Sequence, residues 1–182
     1  SKATVTLGND GKKLVQYTAS GPIGENGLKG RATLLHDEWD GSYENQYAGT
    51  GRKETIGGYE FNTFNGTLLW DASDAFAAEF GLYLSSDNVD NSATTAVAAN
   101  CEDRRVRDQN LGVASPRSSR LLNYCGELPS VDQDSLQVES GATGEKRHVS
   151  RGNLKLHWDM ANGATLDAIS GFSRVTQGFV VD

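Results

Sequence analysis

Three histidines, two cysteines and a run of arginines carry most of the chemical reach of this chain, so their spacing is the first test of what it does. His36, His148 and His157 are dispersed, and neither an H-E-x-x-H pair nor a G-x-S-x-G nucleophile elbow is present. Cys101 and Cys125 form no C-x-x-C unit, and the nearest histidine, His148, stands alone, which disfavours zinc. Two free thiols or one disulfide both fit that pair. The segment Gly141–Arg147, GATGEKR, superficially resembles a phosphate loop. It lacks the G-K-S/T ending and precedes a strand pattern rather than a helix. Asp87 and Asp90 lack the D-x-D-x-D-G order of a calcium loop and read as solvated carboxylates. Asn65-Gly66-Thr67 matches a glycosylation sequon, which matters only outside bacteria. The expectation is a protein that is not an enzyme, with no catalytic residue, metal or cofactor. A hydrolase assembled from residues distant in sequence is the reading such motifs do not reach.

Arg104, Arg105 and Arg107 are interleaved with Glu102, Asp103 and Asp108, and the whole chain carries a net charge of −7. Phosphate backbones demand a concentrated cationic excess, so a nucleic-acid partner is not expected. With 182 residues, 37% hydrophobic and 23% charged, and 21 Gly against 3 Pro, the chain is long enough for one domain with a core. No run approaches the roughly 18 apolar residues of a transmembrane helix. A membrane barrel stays open, because its alternating strands score poorly on hydropathy. The opening SKATVTLGND has no apolar signal core, so either the chain is cytosolic or its natural beginning lies upstream.

The elements that must position these residues are strands. After Phe76, Ala78, Phe80, Leu82 and Leu84 alternate with Ala77, Glu79, Gly81, Tyr83 and Ser85. Leu154, Leu156 and Trp158 alternate with Asn153, Lys155 and His157, and Gly66, Leu68 and Trp70 with Thr67 and Leu69. Turn chemistry places strands near Ala3–Leu7, Lys13–Ser20, Leu28–Asp40, Ile56–Asp71, Ala75–Asn88, Arg147–Met160 and Ala164–Phe179. Several exceed ten residues, whereas strands of soluble domains usually have about five or six. Beyond the loop GNDGKK, brief turns (GPIGENG, DASDA, DMANGA) alternate with long polar excursions, Gly41–Thr55 and Val89–Lys146. Tight connections thus fall at one end of the strands and loose ones at the other, as in bacterial outer-membrane barrels.

YTASGPIGENGLKGRATLLHDEWDGSYEN resembles the early barrel hairpin of TonB-dependent outer-membrane receptors. The residues that carry it are Ser20, Gly21, Pro22, Ile23, Arg31, Asp40, Gly41, Tyr43 and Asn45, with Ser42 as an extra residue in the exit. FNGTLLWDASDAFAAEFGLYLSSDN is similar to the next hairpin, with its turn at Ser73 and Asp74. LKLHWDMANGATLDAISGF is similar to a third, through Trp158, Asp159, Asn162, Gly163, Leu166, Ser170, Gly171 and Phe172. Together they cover most of the chain outside the long loop, in the family's order. Trp70 and Trp158 stand at short-turn ends, where an amphipathic ring suits a membrane interface; tryptophan in an ordinary core is the alternative.

The resemblance implies an all-β fold: an antiparallel up-and-down meander of about seven long strands across residues 1–182, part of a large barrel in the outer membrane of a Gram-negative bacterium, with an external loop at 89–146. Such a barrel has about 22 strands, so this chain reads as an early segment without the plug. The partners implied are the remaining strands and plug, TonB through the plug side, outer-membrane lipid, and an imported nutrient: ferric siderophore, cobalamin, oligosaccharide or an aromatic compound. In an exported chain the two cysteines favour a Cys101–Cys125 disulfide closing about 25 residues, worth about 3 kcal/mol by loop entropy. Trp39, Arg104, Arg105, Arg107 and Tyr124 are the ligand-contact candidates. The competing expectation is a self-contained secreted β-sandwich or small barrel that binds a glycan or protein, which needs a covered core and dissolves without detergent.

Overall fold

Alternation with period two becomes a sheet of long antiparallel strands in the computed structural model, which describes residues 1–49, 54–92, 124–130, 136–139 and 141–180. The strands are β1 (Lys2–Leu7), β2 (Lys13–Pro22), β3 (Leu28–Trp39), β4 (Tyr43–Glu44), β5 (Thr55–Ile56), β6 (Tyr59–Ser73), β7 (Phe76–Val89), β8 (Gly144–Asp159) and β9 (Thr165–Val180). Seven of them form one sheet in the order β1-β2-β3-β6-β7-β8-β9, and β4 and β5 pair separately. Every long strand is antiparallel to its neighbours, so the fold is an all-β meander, without helix among the described residues. The seven strands expected from the alternation are all present.

The strand ends fall within three residues of those expected, and the excursion expected over Val89–Lys146 is shorter, because Val89 ends β7 and Gly144–Lys146 open β8. One difference changes the architecture. The strand expected from Ile56 to Asp71 is broken: Ile56 belongs to β5, and β6 starts only at Tyr59. Gly57 turns the chain at φ +86°, and a Cβ on Gly58 would sit 2.6 Å from the Trp39 carbonyl oxygen. Only glycine lets β5 swing away from the sheet while β6 begins pressed against the end of β3. Ile56, at 2% exposure, is then the most buried large side chain among the described residues.

The connections are sorted by end. Residues 23–27, 74–75 and 160–164 join strands at one end; residues 8–12, 40–58 and 90–143 join them at the other. A 14-residue strand such as β7 reaches about 46 Å at about 3.3 Å per residue.

Residues opposite each other in an antiparallel ladder share a face, so the register sorts the side chains. On one face lie Val15, Tyr17, Leu34, Phe64, Leu68, Trp70, Phe80, Leu82, Leu84, Leu154, Leu156, Trp158, Leu166 and Phe172. Many stay open to solvent, among them Leu34 at 55% and Phe172 at 57%. On β7 the apolar series from Phe76 to Leu84 spans about 26 Å of strand. Trp70 and Trp158 close this face at the short-turn end, where Trp70 meets Phe76 edge-on at 6.1 Å. The opposite face is rich in charge: Lys29 pairs with Asp71 at 2.8 Å, Lys155 with Glu79 at 2.9 Å, and His157 with Asp167 at 2.7 Å.

Candidate functional site

On the charged face, at the long-loop end, the odd-numbered positions of β3 and β6 bring Trp39, Tyr59 and Phe61 side by side. Trp39 and Tyr59 tilt against each other with ring centroids 5.9 Å apart, and Tyr59 stacks on Phe61 at 4.7 Å. The β1–β2 turn is built with positive φ at Asp10 and Gly11, and it accepts the Asp40 amide at Asp10 at 3.0 Å. That docking carries Lys12 over the aromatic row. Its ammonium donates to the Asp37 carboxylate and the Tyr59 hydroxyl and stands 4.7 Å from the Tyr59 ring centre. The hydrogen bond to Asp37, seconded by that to Tyr59, raises the Lys12 pKa above its ordinary value. The result is a half-exposed aromatic shelf with a fixed cation at its edge, suited to flat or hydroxylated ligands through stacking and cation–π contact.

Further along the same face, both Nε and Nη2 of Arg147 donate to Asp87 Oδ2, at 2.8 and 2.7 Å, and the Ser85 hydroxyl donates to the other carboxylate oxygen. Asp87 and Ser85 are buried. Asp87 is therefore a structural partner of Arg147 where β7 and β8 enter the loop end, rather than a solvated loop acid. Among the described residues no group of three or more His, Cys, Asp and Glu side chains is placed to hold a metal. His36 and His148 lie on the apolar face near the loop end, whereas His157 lies on the charged face near the short turns.

The two long excursions meet. The Asn45 side chain donates to the Val138 carbonyl and accepts from the Val138 amide, both at 2.9 Å, and the Gln46 amide donates to the Leu136 carbonyl at 2.9 Å. Asn45 thereby presents its carboxamide as a substitute peptide group to a passing segment. A polar cavity of about 140 Å³ opens beside this seam, lined by Asn45, Asn88, Asp90, Asn91 and Lys146 among others.

Of the expected ligand contacts, Trp39 forms part of the aromatic shelf. Tyr124 is half-buried beside Cys125, which is disulfide-bonded. Arg104, Arg105, Arg107 and Cys101 lie outside the described residues. Tyr59, Phe61 and Lys12 were not singled out by the motifs. The two-residue spacing of Tyr59 and Phe61, one face of one strand, was the available signal. Compared with known proteins, the chain matches no family model, no curated protein and no solved structure.

Proposed function

We infer that this chain is a stretch of the barrel wall of a TonB-dependent outer-membrane receptor. The whole receptor takes up a scarce nutrient from outside, and the long-loop end of the sheet faces the ligand. The observation that carries the reading is the segregation of the two faces combined with the sorting of the connections. An apolar face bounded by tryptophans at the short-turn end suits lipid, and a face of ion pairs suits a polar interior. A soluble sandwich would lay a second sheet over the apolar face, and among the described residues the only other sheet is the two-stranded β4–β5. On this reading the shelf of Trp39, Tyr59 and Phe61, edged by Lys12, contacts ligand at the outer mouth.

The test is a pair of arginines at mid-sheet. Leu82 points to the apolar face, and Asn65, next in chain to its register partner Gly66, points to the charged one. Leu82→Arg is expected to cost about 2 to 4 kcal/mol in urea titrations of chain folded into phosphatidylcholine vesicles, and Asn65→Arg about 1 or less. Equal costs, or a chain that stays monomeric and folded without detergent or lipid, would sink the reading.

A further inference from the structure

The apolar face carries an uneven charge distribution above its hydrophobic band. Every carboxylate of β7, β8 and β9 (Glu79, Asp87, Glu145, Asp159 and Asp167) occupies an odd position and so belongs to the charged face. Even positions of the same strands hold Lys146, His148 and Arg174, all exposed and all at the long-loop end. None of the three makes an ion pair among the described residues, although the chain as a whole carries −7. Their register neighbours on that face are donors of other kinds: Asn88 opposite Lys146, Ser86 and Thr176 opposite His148, Ser150 opposite Arg174. In the Lys146 row the nearest carboxylate, Glu60, lies beyond Asn88, about 10 Å away across two strand spacings, while Asp90, past the end of β7, lines the same polar cavity as Lys146. Immediately below the patch the surface becomes apolar through Leu84, Leu154 and Phe172, the last laid over Gly152, where a Cβ would stand 2.3 Å from the ring.

Two cations without ion pairs, Lys146 and Arg174, directly above uncovered hydrocarbon are complementary to an amphiphile with an anionic head. The geometry points to a binding site for a net-anionic phospholipid headgroup on β8 and β9. Lys146 and Arg174 clasp the phosphate from either side of His148, and the acyl chains lie against Leu84, Leu154 and Phe172. Four residues of offset separate Lys146 from the partner of Arg174, about 13 Å of strand, a gap that two long side chains can close around one head. Charge complementarity to Lys146 and Arg174 selects this occupant over a zwitterionic lipid. The inference rests on the membrane reading above and adds to it a specific contact.

The experiment holds the whole chain in dodecyl maltoside micelles and compares, by native mass spectrometry, retention of phosphatidylglycerol and phosphatidylcholine with identical acyl chains. Each cation near a lipid surface contributes a factor of about five, so two predict a preference of about twenty-five-fold for the anionic lipid. Lys146→Gln with Arg174→Gln is expected to abolish the preference with strand circular dichroism unchanged. Lys13→Gln, which removes a cation already paired with Glu38, is expected to keep it. Displacement of the lipid by millimolar inorganic phosphate would overturn the lipid site in favour of a free-anion site. Equal retention of both lipids by wild type would overturn the headgroup site and leave the membrane face standing. A chain that will not associate with micelles at all would remove both.

Discussion

At the scale of single residues, Lys12 is the contact that ties a turn to the aromatic shelf, and its chemistry sets a pH signature. Its pKa is raised above the ordinary 10.5 by hydrogen bonding to Asp37 and then to Tyr59. A cation whose folded pKa exceeds its unfolded one contributes fully below the unfolded value and loses that contribution as pH rises through the folded one. The stability difference between wild type and Lys12→Met should therefore be flat from neutral pH up to 10.5 and shrink above it, read from urea midpoints against pH. A difference that already collapses near neutrality would show that Lys12 contributes through something other than its charge. Phe61 and Tyr59 illustrate why this shelf escaped the motifs. Neither residue type is rare, and the third ring arrives from β3 through register, which no local pattern encodes. Trp39 alone was legible, as the last apolar residue before a polar exit.

At the scale of elements, the seven long strands were legible because each repeats its alternation over many residues. The pair β4 and β5 was not, since two-residue strands leave no periodic trace and theirs depends on a seam with residues far along the chain. Asn45 is the centre of that seam. Removing its carboxamide in Asn45→Ala strands the half-buried amide and carbonyl of Val138, at a cost of about 1 to 3 kcal/mol to the local structure. Hydrogen exchange at the amides of Gln46 and Val138 should then accelerate about tenfold or more, while the amides of β6, β7 and β8 keep their wild-type protection. Acceleration spread evenly over the sheet would mean that the loops and the wall unfold as one unit. The break before Tyr59 has a similar origin. The expected strand ran straight through Gly57-Gly58, and only the approach of the Trp39 carbonyl to Gly58 makes that pair a required corner.

For the molecule as a whole, the sheet is open, and β9 presents sixteen residues of edge. Ile169 is 78% exposed on the charged face of that edge. An unpaired edge of this length recruits another strand, so the chain in detergent should self-associate through β9. Ile169→Lys, an inward charge on the edge that leaves the apolar face untouched, should shift sedimentation toward monomer while strand content holds. Unchanged association would place the contact elsewhere, at β1 or on the apolar face. The edge also has a direction. With six consecutive reversals in the seven-stranded antiparallel meander, β1 and β9 point the same way, so these two strands could meet only in parallel. A ring in which every neighbour is antiparallel has even parity, and a meander that completes this one must contribute an odd number of strands.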